Sequence, residues 1–312
     1  MKNKSVKIVL SLCFMLLVFL SKVVAQTEPM YSQYMFNMLN VNPAYAGSRS
    51  VPSMTALFRN QWVGIPGAPQ TSSISLDMPL NDDKVGLGIQ LYDDRLGIEH
   101  TTGFQVNYAY RIHISDEGVL AMGIRAGILN YRANFSEVTT FQSNDPAFYQ
   151  NVNGFLPAAG AGIYYTTDKF YVGVSVPSLL QTKLNAKQQA DVGETKFSNL
   201  HFFATAGTVF NMNENVALKP SILMKSVSGA PLEYDFNCNV WLQNKIGVGA
   251  SYRTGDAVVG MLEWQINDQL RFGYGYDYTT SKLNAYNQGT HEVMLRYEFG
   301  SGRSSFISPR YF

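Results

Sequence analysis

Polar and apolar residues alternate with a period of two along most of this chain, and the 3.6-residue period of a helix hardly appears. Over residues 104–114 one face carries Phe104, Val106, Tyr108, Tyr110, Ile112 and Ile114; the other carries Gln105, Asn107, Ala109, Arg111 and His113. Over 245–253, Ile246, Val248, Ala250 and Tyr252 stand against Lys245, Gly247, Gly249, Ser251 and Arg253. Later, Leu270, Phe272, Tyr274, Tyr276 and Tyr278 alternate with Gln269, Arg271, Gly273, Gly275 and Asp277. The last such stretch sets His291, Val293, Leu295, Tyr297 and Phe299 against Glu292, Met294, Arg296 and Glu298. The pattern predicts strands near 53–60, 70–79, 84–93, 99–114, 117–131, 155–167, 169–177, 196–211, 214–227, 231–243, 245–254, 255–267, 268–280 and 289–299, about fourteen in all. Hairpin turns are expected at Asn81-Asp82-Asp83, Asp116-Glu117-Gly118, Thr167-Asp168, Asn213-Glu214-Asn215, Gln243-Asn244 and Thr254-Gly255-Asp256. Longer connections fall at 132–154, 178–195 and 279–289, and no repeat of 20–50 residues stands out beyond the hairpin rhythm.

The polar face decides the surroundings. A soluble sandwich shows water a face rich in Lys and Glu. Here that face is Gly, Gln, Asn and Ser with sparse charges of both signs, which suits a lumen filled by its own side chains and water. The apolar faces end repeatedly in Tyr, Trp or Phe, as an interfacial girdle requires. Lipid cannot satisfy an open sheet edge, so such a sheet must close. The expected fold class is therefore all-β, a transmembrane antiparallel β-barrel of the bacterial outer membrane. Composition agrees: only 15% of the 312 residues are charged, 13% are aromatic, and the mean hydropathy is a near-neutral −0.08. A formal net charge of +1 gives no basic excess for nucleic acid.

The first residues read as an export signal. Lys2, Lys4 and Lys7 precede an apolar stretch over 8–20, and Val23-Val24-Ala25 supplies small residues for cleavage. Cleavage after Ala25 would leave 20 basic against 23 acidic residues, since it removes Lys2, Lys4, Lys7 and Lys22. The expected divisions are a signal at 1–25, a periplasmic or lumenal segment at 26–50, a barrel at 51–299 and a tail at 300–312. Cys13 falls in the signal, so Cys238 stands alone in the mature chain; in an alternating strand it reads as a small apolar filler.

Catalytic chemistry finds little footing. His100, His113, His201 and His291 are scattered over different strands with no metal-ligand spacing, and no phosphate-cradling glycine loop occurs. His291 near Ser281 is a conceivable pair on adjoining strands, and Asp82-Asp83 or Asp93-Asp94 could hold Ca²⁺, but turn acids are the plainer reading. No catalytic residue, cofactor or metal site is expected.

Several motifs carry a resemblance. Residues 26–37, QTEPMYSQYMFN, run on to Asn42-Pro43-Ala44-Tyr45-Ala46-Gly47-Ser48. Further marks are residues 58–62 (FRNQW), 67–71 (GAPQT), 108–112 (YAYRI), 218–221 (LKPS), 229–232 (GAPL), 273–281 (GYGYDYTTS), 289–292 (GTHE) and the tail 308–312 (SPRYF). By these the chain resembles the PorP/SprF family of outer-membrane proteins of the type IX secretion system, over essentially the whole mature length. The resemblance implies a secretion role without catalysis. It implies support for the export or surface anchoring of cargo, such as adhesins with C-terminal sorting domains. The implied partners are the type IX translocon or its periplasmic ring and peptidoglycan-binding subunits, and the implied settings include gliding motility. The alternative of another class is a passive diffusion channel, favoured if Gly86, Gly88, Gly247 and Gly249 line an open lumen. Bulky Trp241, Arg271 and Arg296, or a terminus folded inward, would oppose conduction.

Three groups of residues are candidates for function. Tyr31, Tyr34, Phe36, Asn42, Pro43 and Tyr45 could dock a partner in the periplasm or plug the lumen; the plainer reading packs the aromatics at the barrel mouth, with Asn-Pro opening a turn. Arg310, Tyr311 and Phe312 end a Gly/Ser stretch that could fold back into the lumen, engage a partner or pack at the rim. Arg271, Asp277, Glu292, Arg296 and Glu298 are expected to form a lumenal charge network, because interior charges need partners. Arg59 and Trp62 read as a lumenal arginine and a girdle tryptophan.

Overall fold

A computed structural model describes residues 30–49, 51–81, 83–138, 150–184, 190–193, 200–227 and 230–300, with only the backbone described for 181–184 and 190–193. Seventeen strands follow in order: β1 (Ser53–Asn60), β2 (Gln70–Leu80), β3 (Val85–Leu96), β4 (Glu99–His113), β5 (Val119–Ala133), β6 (Val152–Thr166), β7 (Phe170–Val176), β8 (Gln181–Leu184), β9 (Ala190–Gly193), β10 (Phe202–Thr208), β11 (Phe210–Asn213), β12 (Val216–Ser226), β13 (Glu233–Leu242), β14 (Ile246–Arg253), β15 (Ala257–Gln265), β16 (Leu270–Thr279) and β17 (Thr290–Glu298). Neighbours in sequence pair antiparallel around one sheet. The sheet closes where β1 meets β17, from Ser53↔Glu298 to Asn60↔His291, and continues round through β7–β10 and β10–β12. β10 and β11 both pair with β12 and are two halves of one barrel strand, interrupted at Val209. β8 and β9 form a separate hairpin. The result is a closed antiparallel barrel of fourteen strands.

Burial follows the period-two pattern. Gln105, Asn107, Ala109 and Arg111 are buried while Phe104, Tyr108, Tyr110 and Ile112 are exposed. The exposed face is the outside of the barrel: Ile74, Leu91, Ile124, Val248, Leu262 and Leu295 form an apolar belt. Tyr110, Phe170, Phe210, Trp264 and Phe299 edge this belt at one end and Phe155, Tyr252 and Tyr278 at the other, as in a lipid-facing surface with aromatic girdles. Cys238 is exposed on this outer face, so it fills no core. The tight turns 81–84, 114–118, 167–169, 214–215, 243–245 and 266–269 gather at one end, and all the longer connections, 61–69, 134–151, 177–201, 227–232 and 280–289, at the other, together with the short turns 97–98 and 254–256. In outer-membrane barrels the short turns face the periplasm and the long loops the exterior. At the Gln243–Asn244 turn both residues hold positive φ, 50° and 53°, the twist a tight hairpin needs.

The differences from the sequence expectation lie at the loop end. β5 and β6 run to Ala133 and start at Val152, so that connection is shorter than expected. Backbone pairing continues past the lipid belt, where polar Asn130, Arg132 and Asn153 hide the alternation. Likewise the connection at 178–195 holds the β8–β9 hairpin.

Residues 30–49 are not part of the wall. They make three single-turn 3₁₀ helices, Tyr34–Phe36, Met38–Asn40 and Pro43–Tyr45, and thread the inside of the barrel. At one end Ser32 meets Asp277 and Glu292, near the loop ends of β16 and β17; at the other Arg49 meets Glu298, at the turn end of β17.

Candidate functional site

The lumen is occupied by a segment with a hydrophobic core of its own. Tyr31, Tyr34, Met35, Phe36, Met38, Leu39, Val41 and Tyr45 are all at most 5% exposed. They pack on inward-facing Leu57, Tyr164, Tyr171, Phe203, Leu223, Val259, Met261 and Met294. Tyr45 meets Tyr164 edge-on at 5.6 Å, and Tyr164 stacks on Tyr171. A lumen filled by wall side chains and water was the expectation; an apolar cluster on an inserted segment replaces it. Part of its sequence signal was present: on β17 the face predicted to be polar carries Met294, and β15 buries Val259 and Met261 on its lumenal side.

Single-turn helices leave many backbone groups without internal partners, and the wall satisfies them. The Ser32 and Gln33 amides donate to the Glu292 carboxylate at 2.9 and 2.8 Å. Arg125 Nη2 donates to the Leu39 carbonyl at 2.5 Å, and Ser175 Oγ to the Val41 carbonyl at 2.8 Å. Asn42 caps the third helix by accepting from the Ala44 amide, and its Nδ2 donates to the Ile163 carbonyl at 3.0 Å. The Gly47 amide donates to Asp77 at 2.6 Å, and Arg111 donates to the Gly47 carbonyl. Side chains join too: Gln90 Nε2 donates to Asn40 Oδ1 at 2.6 Å, and Asn237 Nδ2 to the Tyr34 hydroxyl at 2.7 Å. These partners come from strands all round the barrel.

The lumenal glycines make room for this segment. A Cβ on Gly86 would lie 1.8 Å from the Ala46 carbonyl oxygen, and one on Gly123 2.3 Å from the Ala44 amide nitrogen. Gly88 faces Leu39, while Gly247 lies against Trp241. Of the four glycines proposed as an open lining, Gly86 and Gly88 thus lie against the inserted segment, and Gly247 and Gly249 against the wall side chains Trp241 and Asn239.

The buried charges form two groups. Near the loop end Arg59 holds Asp277 at 2.9 Å and Glu292 at 3.0 Å, Arg253 holds Asp235 at 3.1 Å, and Ser32 Oγ donates to Asp277 at 2.6 Å. Near the turn end Arg49 pairs with Glu298 at 3.2 Å and Arg271 with Glu263 at 3.5 Å. Arg271 and Lys219 both lie over the Trp241 ring. The five residues expected in one network are thus divided: Asp277 and Glu292 in the outer group, Arg271, Arg296 and Glu298 in the inner. Arg49, Arg59, Arg253, Asp235 and Glu263 join them, because the closed sheet brings distant strands into one lumen. Arg310, Tyr311 and Phe312 lie outside the described residues. Asn42-Pro43 does open a turn, with Pro43 first in its helix, but deep in the lumen and not at the mouth. Trp62 is half-buried at the end of β1, its amide on Thr290.

The other candidate chemistry is taken up by structure. His291 Nδ1 lies 2.7 Å from the Tyr274 hydroxyl, and Ser281 opens a short helix at Lys282–Ala285. Asp93 pairs with Arg95 and His100, and Asp94 accepts from Thr71 at 2.6 Å. Among the described residues no group of three His, Cys, Asp or Glu could hold a metal ion.

A closed fourteen-strand barrel with an apolar belt and aromatic girdles is an integral outer-membrane protein. Residues 23–297 match the family described as type IX secretion system membrane protein PorP/SprF, and the chain belongs to that family. No curated protein matches it by sequence. Solved structures to which it is similar include the outer membrane protein Omp33 of Acinetobacter baumannii, at 12% identity and a TM-score of 0.48 over 81% of this chain and all of that one. Others are the monoaromatic hydrocarbon channel CymD, at 11% and 0.48 over 88% and 95%, and the P. putida toluene transporter TodX, at 8% and 0.44 over 84% and 93%.

Proposed function

We propose that this membrane protein of the type IX secretion system is a non-conducting, non-enzymatic scaffold that supports the export or surface anchoring of cargo. The observation that carries the reading is the lumen, filled from Tyr31 to Ser48 and bonded to the wall on all sides. A barrel so filled offers partners its rims and loops rather than a solute path. The family supports partners among the translocon, its periplasmic ring and peptidoglycan-binding subunits, and adhesins with C-terminal sorting domains. In this reading the mature chain begins after Ala25, residues 30–49 are a fixed plug, and the tail 300–312 is a contact for a periplasmic partner.

The test is a mild-detergent pull-down of the tagged protein from native outer membranes, paired with conductance of the purified protein in planar bilayers. The expected result is co-purification of translocon subunits or of one surface protein with a C-terminal sorting domain, and no steady conductance. A protein that purifies alone and passes small solutes would be a diffusion channel.

A further inference from the structure

The outer face of four neighbouring strands, β17, β1, β2 and β3, changes from apolar to polar towards the loop end in three cross-strand rows. Leu295, Ala56, Ile74 and Leu91 stand in the first row, Val293, Phe58, Ser72 and Asp93 in the second, and His291, Asn60, Gln70 and Arg95 in the third. Small Ala56 and Ser72 lie among larger neighbours, Phe58, Ile74, Leu91 and Leu295, and leave a groove of about 510 Å³ in the apolar belt. Beyond it, towards the exterior, loop 61–69 borders a polar cavity of about 350 Å³ lined in part by Asn60, Gln70, Arg95 and Gly97. That loop is tied down: the Gln61 amide donates to the Pro69 carbonyl at 2.9 Å, the Val63 amide to the Gly289 carbonyl at 2.9 Å, and the Gly97 amide to the Gly67 carbonyl at 2.8 Å. Arg95 engages only its Nε, which donates to Asp93 Oδ1 at 3.0 Å, and neither Nη has an acceptor among the described residues. Asp93 is also held by His100 and Thr102, so its charge is met within the cluster.

We infer that this face binds one phosphorylated lipid of the outer leaflet, with an acyl chain in the groove and a headgroup phosphate on Arg95. An acyl chain is the occupant that the position dictates, because the apolar belt faces hydrocarbon. The polar third row then lies at the level of the headgroups, and the longer loops mark that end as the exterior one. There the two open Nη groups of Arg95 form a donor fork that a phosphate accepts in a bidentate manner, with the Asn60 and Gln70 amides beside it. Neither half selects a lipid alone. A groove takes any acyl chain, and an arginine 63% exposed holds an ion weakly against water. Preference arises because one molecule spans both. The site belongs to the outer surface of the barrel and is independent of cargo or translocon binding.

Binding of diphosphorylated lipid A to the purified full chain in a non-ionic detergent, read by native mass spectrometry against phosphatidylcholine, tests this. One lipid A per chain is expected, preferred over phosphatidylcholine about ten-fold or more and not displaced by inorganic phosphate. Arg95→Ala should weaken lipid A binding about ten-fold, the effect of losing a charge-assisted pair of bonds, and leave phosphatidylcholine unaffected. Ser72→Phe, which fills the groove from an exposed position, should weaken lipid A about as much. Gly260→Val, on the outer face of β15, should change neither lipid. Absence of bound lipid A, equal retention of phosphatidylcholine, displacement by inorganic phosphate, or binding unchanged in Arg95→Ala or in Ser72→Phe would each overturn the site. Arg95 is exposed, so Arg95→Ala decides should Ser72→Phe not fold.

Discussion

Arg59 holds two carboxylates, Asp277 and Glu292, while its Nη1 also donates to Ser32 Oγ at 2.8 Å. All four groups are buried, so removing the guanidinium strands the Glu292 charge and leaves Asp277 with only Arg253, at 3.6 Å. Arg59→Ala should therefore cost about 3–5 kcal/mol in a urea titration of the folded barrel. Arg95→Ala breaks an ion pair to Asp93 whose arginine is 63% exposed, and its cost should stay within about 1 kcal/mol. A similar contrast holds for glycines. Gly86→Val would drive its branched side chain into the Ala46 backbone and should loosen the inserted segment, seen as a lower unfolding midpoint. Gly260→Val, on the outer face with nothing within 4 Å of its Cβ, should leave the midpoint unchanged.

At the level of elements, the barrel wall and the inserted segment are held by different forces. The wall closes on a continuous ladder of backbone hydrogen bonds that lipid makes obligatory. The segment has single turns too short to be stable alone and depends on side chains of the wall for its bonds and its apolar contacts. Deleting residues 31–48 should thus leave a folded barrel that conducts ions in a planar bilayer, where the intact chain does not. A deletion variant that stays closed would show that the wall side chains alone fill the lumen. Asn42→Ala removes both a helix cap and the donor to the Ile163 carbonyl, and should lower stability by about 1–2 kcal/mol in the same urea titration.

For the whole molecule, the direction of the inserted segment matters most. Its start lies by Asp277 and Glu292 near the loop end and its finish by Glu298 near the turn end, so it crosses the barrel from the exterior side inward. A Met30→Cys variant in a Cys238→Ser background should react in intact cells with a membrane-impermeant maleimide; protection there combined with reaction in spheroplasts would reverse the orientation. Cys238 itself, on the lipid-facing surface, should react with lipid-soluble reagents in preference to impermeant ones.

By itself the sequence determined the strands, their inward and outward faces, most hairpin turns, the compartment and the family. Each of these is written in local alternation, turn residues or short motifs, and alternation alone forces Gln105 to one side and Phe104 to the other. Tertiary structure decided what fills the lumen and which charges meet. Ser32 finds Glu292 across 260 residues and Arg59 finds Asp277 across 218, and no local pattern encodes such distances. Met294 interrupts the polar face of the last strand, but only the closed barrel brought Leu57, Val259, Met261 and Met294 together around residues 30–49. The physical reason is that strand alternation is enforced pair by pair along the chain, whereas the fit of a plug is a property of the enclosed volume, which exists only once β1 has paired with β17.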